Sequence, residues 1–581
     1  MPTSNALTHP ERSPDDTLLT ALRRTVGEQG TGSALRWGSE ADRHEMTWEQ
    51  YARRAGRVAG GLAALGVGRG DHVLLLLRNR PEFYLADVAC LLLGAIPVSV
   101  YLSPDVDALA HVLRDCSAVA CIAENEADLV RAREALARPD TPAVRLIGVD
   151  DDTRQPRVIA FDTLDGPGVT LDDARARPHD TATMLYTSGT TGNPKGVPLT
   201  HANLTFAAWT LGERMGVSLA GRRQLSYLPM AHIGERLATH YLHMTQGSVV
   251  HCCPVFTAMP AVLAETSPHM LFGAPRMWER LYEGVQARLE REPALRDKAA
   301  DPALRPAERR ALLAGVFGEF GLAEIEVAIV GSAPLPRYVQ QFWLDHDFPL
   351  ADCYGQTETC GMGAWNPHEI VLGTCGTPFP GMEIGFTDDR EILVRGPAVF
   401  GGYYGRPDAT AAVLDAEGWY HTGDLGLLDE GGNLVLGGRM NDVIIPTSGH
   451  NVSPGALEER LNRIPLVGYA MVVGHGRPHL SAVLSLDPEA AAAWAAEHGR
   501  PGAGVAEIAA LPEVRAEIDR AIDEINAALP GAERIRAHLV VGEPWPLASD
   551  LLTATGKMRR QGVGRRYADQ IDQMYVKEQT R

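Results

Sequence analysis

The stretch YTSGTTGNPKGVPLTH, Tyr186 to His201, gathers Gly, Ser and Thr around a single lysine, Lys195. The chain carries four lysines, at 195, 298, 557 and 577, against fifty arginines, so a lysine departs from its habit of writing arginine for positive charge. Backbone N–H groups and hydroxyls crowded into a short loop form a nest for anionic oxygens, and an ammonium is a compact point charge for phosphate. That chemistry suits a nucleotide phosphate loop. It is not a Walker A loop, in which Ser or Thr follows the lysine, because Gly196 stands there. The competing reading is a solvated turn.

Four further stretches carry chemically particular residues. YGQTET, 354–359, follows the apolar FPLADC, which puts Tyr354, Thr357 and Glu358 at a strand end, where open α/β sheets bind ligands. A hydroxyl followed by a carboxylate suits a phosphate oxygen and Mg²⁺. WYHTGDLG, 419–426, sets Asp424 in a Gly-rich turn, a carboxylate able to accept two ribose hydroxyls. GRMNDVI brings Arg439 fifteen residues later, and TATGKMRR holds Lys557. Each has an ordinary alternative: a packed aromatic, a helix-start charge, an Asx turn, a solvated tail charge. Their joint occurrence in this order argues for one nucleotide-handling site.

The elements that must position these residues read as α/β. Apolar runs at 72–77, 97–102, 118–123, 144–149 and 326–333 alternate with amphipathic stretches such as Pro81–Leu93 and Asp107–Asp115, the pattern of parallel sheets covered by helices. Residues 380–436 change to alternating runs with Gly turns, expected as a small antiparallel or barrel-like subdomain. After GGRMND, 437–442, a strand DVIIP and a helix capped by Ser453 and opened by Pro454 are expected to begin a small α+β domain. Domains are thus placed at 1–437 and 438–581.

Bulk properties exclude other classes. At 581 residues more than one domain is expected. A net charge of −19 disfavours nucleic acid or an anionic membrane as the main partner. Eight cysteines without a C-x-x-C pair read as reduced thiols, and no apolar run is long enough to span a bilayer, so the cytoplasm is expected. His240 and His243 lack a third metal ligand nearby in sequence and are read as structural. Oligomeric state is left open, a homodimer included.

From about residue 45 to 565 the chain resembles the adenylate-forming enzymes: acyl-CoA synthetases, luciferases and the adenylation domains of peptide synthetases. LPMAHIGERLATHYLHMTQG, 228–247, GAPRMWERLY, 273–282, and LTATGKMRR, 552–560, are similar to the long-chain fatty acyl-CoA synthetase branch. The resemblance implies a large N-terminal domain, a small mobile C-terminal domain with its hinge near 439–442, and an ATP site in the cleft between them. It implies that Thr187, Ser188, Gly189, Thr190, Thr191 and Lys195 hold the phosphates. Ser332, Ala333 and Pro334 would lie beside adenine, Tyr354 would stack on it, Gly355 would belong to the same nucleotide site, and Asp352 would approach the amino edge. Thr357 would contact the α-phosphate, Glu358 would bind Mg²⁺, and Asp424 and Arg439 would hold the ribose. His232 matches the gate at the carboxylate site, Lys557 the lysine bridging carboxylate and α-phosphate, and Ser448-Gly449 the pantetheine tunnel. Met230, Ile233, Leu237, Phe272, Met277 and Trp278 would line an acyl pocket. The implied cofactors are ATP, Mg²⁺ and coenzyme A, and the implied substrate is a hydrophobic carboxylic acid. A carrier-protein pantetheine is the alternative acceptor, and an aryl acid the alternative substrate. Asn441 stands where the family's hinge usually has Asp or Lys.

Overall fold

In the computed structural model the described residues are 13, 15–102, 105–187, 193–448, 450, 452–547, 549–553 and 556–576. Contacts divide the chain into two units, residues 1–385 with 393–422 and 428–435, and residues 386–392 with 423–427 and 436–581.

The first unit is built on two seven-stranded sheets. One runs, edge to edge, Leu350–Asp352, Val327–Val330, Met270–Gly273, Arg223–Ser226, Val249–Cys252, Ser33–Trp37 and His44–Thr47. The other runs Ile159–Ala160, Arg145–Gly148, Ala120–Ala123, His72–Leu76, Ile96–Ser99, Thr181–Thr187 and Lys195–Thr200. All neighbours pair in parallel except the His44–Thr47 and Lys195–Thr200 edges. Buried on both faces, the inner strands need the continuous apolar runs seen in the sequence. Helix Pro81–Leu93 falls where its pattern puts it, opened by a proline and closed by Gly94 in the left-handed region.

A buried polar network ties one sheet system to the other. Arg236, in the helix Ile233–Arg236 that follows Arg223–Ser226, pairs with Asp87 of helix Pro81–Leu93 and donates to Ser99 Oγ of strand Ile96–Ser99 at 2.5 Å. Burial and the Arg236 charge hold His240 well below 6.5, so it is neutral and its Nε2–H donates to Asp87 Oδ1 at 2.9 Å. Glu235 accepts from Asn79, Ser226 and Thr239, and Tyr84 donates to Ser226. Arg236, Asp87, Glu235 and His240 have no solvent contact. His243, which packs on Trp48 and donates its Nδ1–H to the Ser248 carbonyl at 2.7 Å, is likewise part of the interior.

The alternating region forms a four-stranded sheet of Glu383–Phe386, Glu391–Arg395, Tyr420–Leu428 and Leu434–Arg439. Asp424 lies inside the strand Tyr420–Leu428 rather than in a turn. Gly423 takes a φ of +70° and donates its N–H to Glu391 Oε1 at 2.9 Å, so the glycine kinks a strand without ending it.

In the second unit Val467–Val473 pairs antiparallel with Leu480–Leu486, which pairs parallel with Ile535–Val541. Along the central strand Leu480, Ala482, Leu484 and Leu486 face one apolar cluster, and Val483 faces the other, the period of two expected of a sheet covered on both sides. The strand expected at DVIIP is a single bridge, Ile444 with Val452. Ser453 occupies the cap position of Pro454–Leu461, but its hydroxyl donates to the Gly437 carbonyl at 2.8 Å rather than accepting from the helix.

Removing one partner of a fully buried ion pair strands the other charge, at a cost of about 3–5 kcal/mol. Asp87→Ala is therefore expected to lower the unfolding free energy of the first unit by about that amount, measured by denaturant titration. A loss below about 1 kcal/mol would contradict the role given to the pair.

Candidate active site

The hairpin of Thr181–Thr187 and Lys195–Thr200 places Thr187 opposite Lys195, so the Gly/Ser/Thr loop connects two paired strands and the lysine stands at its exit. His111 meets the Pro194 carbonyl at 3.0 Å, fixing that exit. Ser188, Gly189, Thr190 and Thr191 lie outside the described residues. Lys195 sets its ammonium 4.8 Å from the centre of the Tyr403 ring, and the Tyr403 hydroxyl donates to Glu358 Oε1 at 2.8 Å. Glu358 sits in the single 3₁₀ turn Thr357–Thr359, 8% exposed. Tyr420 donates to Gln356 Oε1 at 2.6 Å, and Gln356 donates to the Thr422 carbonyl at 3.0 Å. Lys195, Thr357 and Glu358, distant in sequence, are thus brought to one place.

Tyr354 leaves the end of strand Leu350–Asp352 and bridges to Ala364, donating to its carbonyl at 2.9 Å. Gly355 follows because the Gly361 carbonyl passes 2.1 Å from where a Cβ would stand. Ser332, after strand Val327–Val330, has a φ of +77°, an uncommon backbone for a non-glycine residue. Its hydroxyl lies 3.0 Å from His232 Nε2. Ala333 and Pro334 follow it, Pro334 exposed. His232 precedes helix Ile233–Arg236 and stacks on Phe272, ring centres 6.0 Å apart. Phe272 fills the room left by Gly234, whose Cβ would meet it at 2.5 Å. The helix then passes through a π-helical turn, Leu237–Tyr241, a form frequent near functional sites.

Of the expected acyl-pocket residues, Met230, Ile233, Leu237 and Met277 are buried, and Met277 closes on Gly273 beside Phe272. Trp278 packs edge-on against Trp343 and Phe348, donates to the Ile329 carbonyl at 3.3 Å, and brings its Nε1 to Gly273 alongside Met277.

The second unit holds its own cluster. Arg439 pairs with Asp424 at 3.1 Å. The Lys557 N–H donates to Thr553 Oγ1 at 2.9 Å, and Gly556 before it takes a φ of +79°. Protein crowding, then the Arg439 guanidinium, lower the Lys557 ammonium from 10.5 to about 8, while Asp424 and Asp442 pull the other way. Ser448 is exposed, and Gly449 lies outside the described residues.

Residues 22–404 match the family described as AMP-binding enzyme, and residues 441–579 match the AMP-binding enzyme C-terminal domain. The chain belongs to the AMP-binding enzyme family. It is 30% identical to the long-chain-fatty-acid–CoA ligase FadD15 of Mycobacterium bovis, over 92% of this chain and 93% of that one. To the long-chain-fatty-acid–CoA ligase ACSBG2 of Xenopus laevis it is 26% identical, over 97% and 84%. Among solved structures, the anthranilate CoA ligase AuaEII in complex with anthranoyl-AMP has the same fold, with a TM-score of 0.77 at 21% identity over 97% of this chain and 99% of that one.

In this AMP-binding enzyme the residues that sequence reasoning missed are Tyr403 and Tyr420, with Gln356. The doublet Tyr403-Tyr404 after two glycines gives no periodic or charge signal, and only the three-dimensional approach to Lys195 and Glu358 marks it.

Asp352, at a buried strand end, shows the strongest carboxyl displacement of the expected site residues: burial raises it from 3.8 to about 8, opposed by the Leu335 N–H. The fold therefore favours the neutral acid, a stabilisation complete below pH ~4 and lost as pH rises through about 8. Asn is neutral throughout. Asp352→Asn should gain stability relative to the parent as pH rises from 5 to 8, on the order of 4 kcal/mol, in paired denaturation curves. A difference independent of pH would contradict the displaced carboxyl.

Proposed function

We propose that the enzyme joins a hydrophobic carboxylic acid to ATP, releasing pyrophosphate and forming an acyl-AMP, and then transfers the acyl group to the thiol of coenzyme A, releasing AMP. The observation that carries this is the convergence of Lys195 and Glu358 on Tyr403, a cation and a carboxylate held together where a nucleotide phosphate and its metal need both. The names of the relatives, long-chain-fatty-acid–CoA ligases, support the acid class and the acceptor. A cytoplasmic setting, where ATP and CoA are supplied, accompanies the reading. A pantetheine on a carrier protein is the other acceptor to be tested.

The residues divide the work. A carboxylate and a triphosphate repel one another, so their union needs positive charge and exclusion of water. Lys195 and the loop before it neutralise phosphate oxygens, and Thr357 donates to the α-phosphate. Glu358 fits Mg²⁺: the ion is commonly held by one or two carboxylates together with substrate phosphates, and Glu358 offers a largely buried hard oxygen beside a hydroxyl. When bound, the ion neutralises phosphate charge as the pyrophosphate leaves. Asp424 and Arg439 hold the ribose, Tyr354 with Gly355 the adenine face, and Ser332, Ala333, Pro334 and Asp352 its edge. His232, anchored by Ser332 and stacked on Phe272, stands at the acid's carboxyl end. Lys557 places its ammonium between acid carboxylate and α-phosphate while the O–P bond forms and the bond to pyrophosphate breaks. In the second step the thiol sulfur, reaching the carbonyl past Ser448-Gly449, displaces AMP.

Lys557→Ala should lower acyl-AMP formation ~10²–10³-fold while thioester formation from supplied acyl-AMP stays within a few-fold, measured as separate half-reactions. Equal loss in both would contradict the division. With parent enzyme, ATP and CoA, kcat/KM should rise about fourfold per added methylene until the acyl pocket is full, with acetate very poor. Preference for acetate or an amino acid would refute the hydrophobic acid.

A further inference from the structure

We propose that Tyr403 is a positioning residue that couples the metal carboxylate to the phosphate-loop lysine, so that metal affinity and phosphate neutralisation are set by one side chain. The inference rests on the reading of Glu358 as metal ligand and Lys195 as phosphate cation.

Three observations converge. The Tyr403 hydroxyl donates to Glu358 Oε1 at 2.8 Å, and the face of the same ring lies 4.8 Å from the Lys195 ammonium. The backbone of its segment repeats the bridge: the Phe400 N–H donates to the Glu358 carbonyl at 2.8 Å, and the Tyr404 N–H donates to the carbonyl of Gly196, next to Lys195, at 2.9 Å. The ring itself is fixed from outside, by Phe400 edge-on at 5.0 Å and by the Tyr403 N–H donating to Thr410 Oγ1 at 2.9 Å. Gly402, with a φ of +127°, gives the room, since a Cβ there would meet Thr410 Cγ2 at 2.5 Å.

The proton bookkeeping assigns the hydroxyl to the carboxylate. Tyr420 gives its proton to Gln356 Oε1 at 2.6 Å, so it has none left for Tyr403. A phenol keeps its proton at neutral pH, and a carboxylate oxygen can only accept, so the Tyr403 hydroxyl is the donor of this pair. A donor locked to one carboxylate oxygen fixes the rotamer of Glu358 and directs its remaining lone pairs, the way outer partners of metal ligands act. The ring face meanwhile attracts the lysine ammonium and restricts where it can sit.

Two variants separate the halves. Tyr403→Phe keeps the ring and removes the donor. Tyr403→Leu removes both. Mn²⁺ binding to the protein with α,β-methylene-ATP is followed by the loss of the free-Mn²⁺ paramagnetic resonance signal, and melting curves report folding. Adenylation rates are measured against Mg²⁺ at saturating ATP and against ATP at saturating Mg²⁺. Tyr403→Phe should weaken Mn²⁺ binding and raise the half-saturating Mg²⁺ roughly tenfold, with the ATP KM at saturating Mg²⁺ within about twofold of the parent. Tyr403→Leu should add a roughly two- to fivefold rise in that ATP KM. If Tyr403→Phe leaves both metal curves within about twofold of the parent, or lowers kcat without moving them, the coupling is refuted. Because the binding curve needs no turnover, a parent that binds Mn²⁺ with the nucleotide yet adenylates no acid would overturn the proposed function while the resonance titration still decides the role of Tyr403. A parent that binds no Mn²⁺ with the nucleotide would overturn both.

Discussion

A guanidinium without solvent contact, Arg236, rests against a carboxylate without solvent contact, Asp87, and each comes from a different sheet system of the first unit. Two charges buried together cost several kcal/mol each in desolvation, and only a close, fully bonded geometry offsets this. Ser99 and a neutral His240 add hydrogen bonds to the pair, though Arg236 Nε and His240 Nδ1 are buried without a partner among the described residues. The constraint is severe because the pair cannot separate without leaving a naked charge in the interior. The neighbouring Glu235, bonded to Asn79, Ser226 and Thr239, adds a second fastening on the same short helix, and burial raises its carboxyl to about 7.

That helix is also the one His232 precedes, so the fastening of two sheets and the placing of a site residue are one piece of structure. The helix cannot drift while Arg236 is pinned, and His232 is therefore presented to Ser332 and Phe272 from a fixed base. On the phosphate side the equivalent base is the Thr187–Lys195 pairing, with the Phe400–Tyr404 segment bound to both Glu358 and Gly196. Rigid strands and their immediate ends carry the reacting groups in both places, which keeps catalytic geometry within the tolerances that charge stabilisation demands.

Much of this was legible in the sequence because the signals were local. Continuous apolar runs forecast the parallel strands, and Pro81 and Gly94 bounded their helix as written. The particular residues at 195, 354, 357, 358, 424, 439 and 557 were legible by chemical type and order. What escaped depends on long-range approach. Asp424 read as a turn residue because glycines flank it, whereas pairing with neighbouring strands keeps it extended. DVIIP has the composition of a strand but finds only one bridging partner, Val452. Trp278 reaches Gly273 beside Met277, but its aromatic partners Trp343 and Phe348 come from distant segments. Tyr403 is the clearest case: nothing within ten residues of it says that it will lie between a lysine two hundred positions earlier and a glutamate forty-five positions earlier.

If the site acts by joining an acid to AMP before any thiol is engaged, the first step must run backwards and forwards without coenzyme A. The direct measurement is exchange of labelled pyrophosphate into ATP, with Mg²⁺ and a hydrophobic carboxylic acid present and coenzyme A absent. Exchange that depends on the acid and needs no thiol is the predicted result. Exchange that appears only with coenzyme A, or ATP consumption that yields ADP and phosphate, would contradict the acyl-AMP account.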